Sequence, residues 1–333
     1  MKLLKAWMLP LVVGLAGCSQ KPDPVVDALE PGSATAKSIS NDLAPKSVRD
    51  GPTAESQAIA AIRELGRDVE VNETGAVAVV NLNYAEVTDD WLDHLKELSD
   101  LHTLYLISTK ITDSGIVRLK GLTNIRTLWL SGTQITDEGL ESLNGLTKLR
   151  ALWLNSTQVT DAGLEHLKGL SDLHELGLVG TRVSDAGLQH LQALTKLQLL
   201  QLSNTPTTDA GLQHLKGLHD IQKLSLDGTQ VTDVGLVHLE GLTSLTGLRL
   251  TGLPITDAGL ERLDGLVRLR SLALEETKVT DAGLKHLKGL ANLQWLGLNG
   301  THIGDAGLEH IAGLTHLGGL YLNGTDVTDA GLE

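Results

Sequence analysis

The chain has 333 residues, of which 41% are hydrophobic but only 2% are aromatic, and it contains no phenylalanine, so its apolar side chains are mostly aliphatic. The 27 Lys and Arg residues against 41 Asp and Glu residues give a formal charge of -14, which disfavours nucleic acid as a partner because non-specific affinity for it comes from basic side chains. The single cysteine excludes an intrachain disulfide and a zinc site built from several cysteines.

The first 17 residues have the pattern of a secretory signal peptide. A basic start with Lys2 and Lys5 precedes an apolar stretch, residues 6–17, which is shorter than the about 20 residues that a membrane-spanning helix needs. The stretch ends in Leu15-Ala16-Gly17-Cys18, which resembles the lipobox of bacterial lipoproteins. The alternative is an ordinary signal peptide followed by a chance cysteine.

The lipobox resemblance implies cleavage before Cys18, a diacylglycerol on its thiol and an acyl chain such as palmitate on its amine. It therefore implies a lipoprotein anchored to a membrane of the bacterial cell envelope, facing the periplasm or the cell surface. Residues 18–52 then form the lipidated cysteine and a disordered tether, since this segment is rich in Pro, Ser, Ala and Lys and lacks apolar periodicity.

Residues 53–76 are predicted to form an N-terminal cap of one helix and one short strand. Ile59, Ile62 and Leu65 recur at helical spacing, Thr53 is suited to the helix N-cap, and Gly66 is suited to the helix end. Such a cap would cover apolar surface at the start of the segment that follows, residues 77–333.

Residues 77–333 repeat with a period of 24 residues, in eleven coils of which the last is incomplete. The shared pattern is LxxLxLxxTx[IV]TDAGLxxLxGLxx, and we number its positions as slots one to twenty-four. It resembles the leucine-rich repeat family. The resemblance implies an α/β fold, a leucine-rich repeat solenoid wound as a curved right-handed coil, with a parallel concave β-sheet and short convex helices.

The TDxGL segment is also similar to repeats of eukaryotic F-box substrate adaptors and of bacterial extracellular proteins. The sequence before the repeats contains no F-box, so the resemblance implies a recognition scaffold and gives no support to a role as an F-box-type substrate adaptor.

Several slots have a physical interpretation. The leucines in slots four and six should point inward, whereas slots three, five and seven should point outward, because side chains alternate along a strand. Slot nine is Thr in nine of eleven coils, Ala85 and Leu253 being the exceptions, and we expect its buried hydroxyl to bond to the turn. Slot thirteen is Asp in every coil, and this Asp or the preceding Thr is predicted to cap the helix that follows. Slot twenty-one is commonly Gly, which predicts the end of that helix.

No cofactor, metal site or catalytic centre is expected. A calcium ladder is disfavoured because each coil supplies one lone carboxylate from slot thirteen, and calcium takes six or more oxygens. Seven histidines recur in slot eighteen, but zinc needs ligands that converge on one point, so we interpret them as a solvated helix face. Phosphate-loop, HExxH and GxSxG patterns are absent from the sequence, and the chain is therefore predicted not to be an enzyme.

The candidate ligand-binding residues lie on the concave face. Three consecutive coils carry Tyr105, Trp129 and Trp153 in slot five, and strands about 4.8 Å apart should bring these rings into one exposed strip. Asn155 and Glu175 flank this strip. A second group contains Trp295 and Tyr321. Cross-strand stacking that only stabilises the sheet is the alternative to a binding role.

Two function classes follow. The first is a non-catalytic scaffold that binds a protein partner through the concave face. The second is a glycan or peptidoglycan module whose aromatic strip stacks on sugar rings. A purely structural role is a third possibility. Because the eleventh coil stops at Glu333 and leaves Leu320, Leu322 and Leu332 without a following coil, we expect a fragment of a longer chain or a partner that covers this end.

Overall fold

The computed structural model describes residues 53–332. The predicted signal peptide, the lipidation of Cys18 and the tether lie outside the described residues. The described chain divides into two compact units, residues 53–197 and residues 198–332, which we call the first and the second unit. Within residues 53–332, no helix combines the length and the apolar character needed to cross a membrane.

The first unit begins with helix α1, Ala54–Glu64, whose N-cap Thr53 accepts a hydrogen bond from the amide of Ser56 (3.1 Å). Ile62 is fully buried, and Gly66 follows the helix with a left-handed backbone (φ 68°). Strand β1, Val69–Val71, then pairs antiparallel with the first repeat strand, β2, Val77–Asn81. The carboxylate of Glu55 accepts a hydrogen bond from the amide of Val77 (2.7 Å), which ties the helix to that strand.

Every coil contributes one short strand. The first unit continues with β3 (Thr103–Tyr105), β4 (Thr127–Trp129), β5 (Ala151–Trp153) and β6 (Glu175–Gly177). The second unit contains β7 (Leu199–Gln201), β8 (Lys223–Ser225), β9 (Gly247–Arg249), β10 (Ser271–Ala273), β11 (Trp295–Gly297) and β12 (Gly319–Tyr321). Within each unit the repeat strands pair parallel in chain order, and residues 24 apart face each other. The predicted parallel sheet is confirmed.

Short helices follow the strands. The α-helices are α2 (Asp113–Arg118), α3 (Asp137–Glu141), α4 (Asp161–Glu165), α5 (Asp185–Leu188), α6 (Asp209–Leu212), α7 (Asp233–Leu236), α8 (Asp257–Glu261), α9 (Asp281–Leu284) and α10 (Asp305–Ile311). 3-10 helices cover Asp89–Leu95, Ser142–Gly145, Gln189–Ala193, Gln213–Leu215, Lys285–Leu287 and Asp329–Leu332. Each strand from β2 onward is thus followed by a helical segment.

The core lies between the strands and these helices. The slot-four and slot-six leucines, such as Leu104 and Leu106, are completely buried, as are the helix leucines Leu119 and Leu122. The predicted inward orientation of slots four and six is therefore confirmed. At the end of the second unit burial falls, since Leu322 is only half-buried and Leu332 is 41% exposed.

The slot-nine threonines form the expected ladder. Thr157 donates its hydroxyl to the carbonyl of Leu154, three residues earlier, at 2.6 Å. The equivalent bonds are made by Thr109, Thr133, Thr181, Thr205, Thr229, Thr277, Thr301 and Thr325. Each bond satisfies a hydroxyl inside the turn after a strand, as a buried polar group requires.

The slot-thirteen aspartates join consecutive coils, and the residue that commonly caps the helix is the preceding Thr, which the sequence offered as the alternative to Asp. The Asp137 carboxylate accepts hydrogen bonds from the amide and the hydroxyl of Thr160 in the following coil, at 2.8 and 2.6 Å. Thr160 itself caps α4 by accepting the amide of Ala162. We call the Asp–Thr pair the intercoil clamp. At Asp305 the hydrogen bonds from Thr328 lower the pKa of the carboxyl.

The clamp explains the glycine of the TDxGL segment. A Cβ atom on Gly163 would lie 2.4 Å from Asp137 Oδ1, and the same clash recurs at Gly115, Gly139, Gly187, Gly235, Gly259, Gly283, Gly307 and Gly331. The first coil has no preceding aspartate, and it carries Trp91 in this slot. The slot-twenty-one glycines, predicted to end the helices, have no positive φ, and a Cβ on Gly121, Gly145 or Gly169 would meet nothing.

Candidate functional site

The outward side of the sheet in the first unit carries a stack of three aromatic rings. The ring centroids of Trp129 and Trp153 lie 4.4 Å apart with an interplanar angle of 2°. Tyr105 continues the stack, 5.9 Å from Trp129 at 16°. The parallel register places these three residues opposite each other on β3, β4 and β5, so their contiguity follows from the repeat period.

The expectation that these tryptophans are exposed is wrong. Trp129 is 6% exposed and Trp153 is 3% exposed, whereas Tyr105 is half-buried. The stacked faces cover each other, and a Cβ on Gly177 would come within 2.5 Å of the Trp153 ring, so this ring closes down over the glycine of the next strand. Stacking, which the sequence offered as the alternative to binding, is thus present, while the binding role of the three rings stays a prediction.

The stack contains buried hydrogen-bond donors without partners. Among residues 53–332, the indole nitrogens of Trp129 and Trp153 and the hydroxyl of Ser131 have neither solvent access nor a hydrogen-bond acceptor. An unpaired buried donor costs about 1–3 kcal/mol. The stack therefore gains its stability from ring contact and burial, and its polar atoms work against it.

Asn155 and Glu175 border the stack. Asn155 Oδ1 accepts the amide of Val179 on the next coil at 2.9 Å. In the same way Asn83 accepts the amide of Ile107, Asp227 accepts that of Thr251, and Asn299 accepts that of Asn323. This oxygen of Asn155 therefore supports the sheet, which sequence reasoning did not anticipate. Glu175 is half-buried on β6, opposite Ala151.

Tyr105 ends the stack near the cap. Burial and the negative charge of Glu70 raise the pKa of its hydroxyl, so Tyr105 is neutral at physiological pH. Glu70 lies on β1 opposite Val79, a slot-three residue, and is itself exposed. The carboxylate of Glu70 thus contributes negative charge to the end of the outward face at Tyr105.

One exposed aromatic residue escaped the sequence reasoning. Tyr84 is 71% exposed and has a left-handed backbone (φ 60°). It occupies slot eight, where every coil has a positive φ and six of the eleven coils carry glycine. The signal that could have found it is a bulky residue at a position that usually holds Gly, Ser or Asn.

The outward side of the second unit has a different character. Arg249 donates from Nε to Asp227 Oδ2 at 2.7 Å, and Thr251 donates its hydroxyl to Glu275 at 3.0 Å. The Arg249 and Asp227 side chains are each 18% exposed. Lys223, half-buried on β8, adds a second cation to this face.

The second predicted aromatic group, Trp295 and Tyr321, forms a tilted pair with ring centroids 5.3 Å apart at 44°. Trp295 is only 6% exposed, whereas a binding surface would present an exposed ring. It is buried because it lies over Gly297 and Gly319. Its indole nitrogen is also buried without an acceptor in the described part of the chain.

The helix side shows nothing that holds a metal. Across residues 53–332, no three His, Cys, Asp or Glu side chains are grouped so that they could bind an ion. The slot-eighteen histidines are His94, His166, His190, His214, His238, His286 and His310, and they are exposed or half-buried. Burial, together with the nearby charge of Lys216, lowers the pKa of His238, so this imidazole is neutral at physiological pH.

Comparison with known proteins identifies the repeat. A family model described as leucine-rich repeats (2 copies) matches residues 123–169. An internalin, inlF of Listeria monocytogenes, is 23% identical, with a TM-score of 0.52 over 84% of this chain and 91% of that one. No curated protein matches the sequence, and the matches indicate no catalytic family.

Two further structures share the fold at lower coverage of their own length. The mouse RP105/MD-1 complex matches with 21% identity and a TM-score of 0.58, over 76% of this chain and 43% of that one. A TDR receptor matches with 15% identity and a TM-score of 0.54, over 77% and 45%. The family model shows leucine-rich repeats in residues 123–169, and the similar structures together with the parallel sheet show that the chain has the leucine-rich repeat solenoid fold.

Proposed function

We propose that this chain is a non-catalytic recognition scaffold that binds a protein partner through the outward sheet face of its first unit. The observation that carries the proposal is the set of apolar side chains on that face. Tyr105, Ile107 and Val179 are half-buried in slots five and seven, whereas the core is filled by slots one, four and six. Apolar side chains that form one contiguous patch on a surface commonly mark an interaction site.

The stack favours a protein partner over a glycan. A sugar ring binds by lying against a free aromatic face, but the faces of Trp129 and Trp153 lie against each other and Trp153 also covers Gly177, so within residues 53–332 the only face of the stack without a ring or this glycine against it belongs to Tyr105. The stack is then a rigid floor beneath the half-buried side chains around it. A rigid binding surface loses less conformational entropy when a partner binds.

Two structures that share the fold support the same class of function. One is named as a receptor and the other as a complex, RP105/MD-1. Their identity to this chain is 15% and 21%, so they support the type of scaffold and carry no information on its partner.

Site-specific photo-cross-linking in the native host tests the proposal. A benzophenone amino acid would replace Ile107 or Val179 on the sheet face, and Val117 on α2 is the matched control because it lies on the helix side of the same unit and is 50% exposed. We expect discrete protein adducts from positions 107 and 179 that are absent or weaker at position 117. Adducts from position 117 alone, or from none of the three, would contradict the proposal.

We also propose that the chain is anchored to the cell envelope through Cys18. The support is the sequence Leu15-Ala16-Gly17-Cys18 after a basic start and an apolar stretch. Mass spectrometry of the membrane fraction should find the chain beginning at a diacylglyceryl-modified Cys18, and Cys18→Ser should abolish that modification. An intact signal peptide or an unmodified Cys18 would contradict this proposal.

A further inference from the structure

We infer that the outward face of the first unit, at its end beside the cap, binds a lysine or arginine side chain of the protein partner between Tyr105 and Glu70, with Tyr84 as the adjoining contact. This inference rests on the proposed function, because it names the chemistry that the partner must present to that face. We call Glu70, Tyr84 and Tyr105 the cation subsite.

The ring of Tyr105 has one stacked face and one face without a ring against it. Trp129 covers it from β4, at 5.9 Å and 16°. Its neighbour on the other side is Asn81 of β2, a short side chain that is exposed. No other aromatic ring in residues 53–332 stacks on Tyr105. A lysine or arginine side chain that lies over such a face is attracted by the negative charge density of the ring.

The charge around this ring also selects a cation. Glu70 points to the same side as Val79, its antiparallel partner, and its carboxylate acts on the Tyr105 hydroxyl. In the first unit, β1 and slots three, five and seven contain two carboxylates, Glu70 and Glu175, and no Lys or Arg. The guanidinium of Arg67, in the turn before β1, is already engaged, since it donates to the carbonyl of Asn83 at 2.7 Å.

Tyr84 completes the subsite from slot eight. Its amide donates to the carbonyl of Ile107 at 2.8 Å, which places it beside the slot-seven edge of the sheet face. The residue is 71% exposed, so its ring adds little to the core, and its left-handed backbone disfavours any residue other than glycine. The conformation is common to slot eight in every coil, whereas an exposed aromatic ring there is particular to Tyr84, and tyrosine is among the residues that commonly anchor a bound protein.

A small cationic probe tests the subsite directly. The sequence has three tyrosines, Tyr84, Tyr105 and Tyr321, so selective isotope labelling of the full chain in detergent yields three ring signals, with Tyr321 of the second unit as internal control. Titration with N-acetylarginine amide should shift the Tyr105 and Tyr84 signals and leave Tyr321 unchanged, while N-acetylglutamate amide should shift none. Equal shifts at all three tyrosines, or none at Tyr105, would overturn the inference.

A peptide selection tests the subsite at higher affinity. We expect 12-residue peptides selected from a random display library on the full chain to be enriched in Lys or Arg. Glu70→Gln should raise their Kd at least threefold and Tyr84→Gly at least tenfold. Glu175→Gln is the matched acidic control and should change Kd less than twofold. Tyr105→Phe, which keeps the ring, should bind like the parent, whereas Tyr105→Leu should not.

The outcomes separate this inference from the proposed function. Selected peptides without basic residues, or with a Kd that neither Glu70→Gln nor Tyr84→Gly changes, overturn the cation subsite alone if cross-linking at positions 107 and 179 still yields adducts. Absence of both peptides and adducts overturns the inference and the proposed function together. Circular dichroism and thermal unfolding of each variant would show that a lost affinity does not come from lost folding.

Discussion

The outward sheet faces of the two units share one backbone and differ in side chains. The first unit carries an aromatic stack, Tyr105–Trp129–Trp153, whereas the second carries the ion pair of Arg249 and Asp227. Both units contain the slot-nine threonine ladder and the intercoil clamp. The contrast lies in the outward slots three, five and seven, where the same backbone repeat carries an aromatic stack in one unit and an ion pair beside a smaller aromatic pair, Trp295 and Tyr321, in the other.

The largest effect should come from the stack itself. Trp153→Ala removes a ring that is 3% exposed and stacked at 4.4 Å on Trp129, so it should lower the free energy of unfolding by about 3–5 kcal/mol. Urea denaturation of the variant and the parent measures this loss. A loss below about 1 kcal/mol would mean that the aromatic face of the first unit is no more structural than the charged face of the second.

The clamp glycine should matter equally in both units. Gly163→Ala in the first unit and Gly259→Ala in the second place a Cβ 2.4 Å from the aspartate of the preceding coil, which should cost about 1–3 kcal/mol each. Gly169→Ala is the control, because a Cβ there meets nothing and its φ is not positive, so it should not destabilise the chain. Comparison of the three unfolding curves tests the clamp, and a harmless Gly163→Ala would contradict it.

Tyr84→Gly should raise stability by about 0.5–1 kcal/mol, because glycine adopts the left-handed backbone without the penalty that a side chain imposes. Glu276→Gly makes the same change in the second unit, at φ 57°, and should have a similar effect. Thermal unfolding measures both. A loss of stability in Tyr84→Gly alone would show that this tyrosine supports the fold, which its exposure does not indicate.

The smallest effect should come from giving the second unit the slot-seven residue of the first. Asp227→Asn keeps the oxygen that accepts the amide of Thr251, as Asn155 does for Val179, and replaces the oxygen that accepts from Arg249 Nε by an amino group, which removes the charge and this one hydrogen bond. The expected loss is about 0.2–1 kcal/mol, and it should shrink in high salt. Equilibrium unfolding at low and high salt measures it. A larger loss that does not depend on salt would place Asp227 among the structural residues of the fold.

The repeat pattern predicts much of the fold because it contains one constraint eleven times. The inward leucines, the parallel register and the hydroxyl bonds of slot nine all follow from side-chain alternation and from the need to satisfy buried polar groups. The partner of the slot-thirteen aspartate does not follow, because its hydrogen bonds reach 23 residues along the chain into the next coil. Propensity rules describe caps within one helix and miss such contacts.

The candidate face was predicted only in part. The period places Tyr105, Trp129 and Trp153 in one row, but their exposure depends on how the rings tilt and on Gly177 in the next strand. Tyr84 was missed because the shared pattern leaves slot eight undefined, although the six glycines found there indicate the left-handed backbone that the structure shows.

By itself, the sequence determined the repeat and the inward direction of the leucines in slots four and six, since both depend on spacing along one chain. Only the tertiary structure decided that the tryptophans are buried in a stack, that the aspartates clamp the following coil, and that Tyr84 projects into solvent. The physical reason is that burial and intercoil hydrogen bonds are properties of neighbours 23 or 24 residues apart, and their side-chain geometry exists only once the coils are packed.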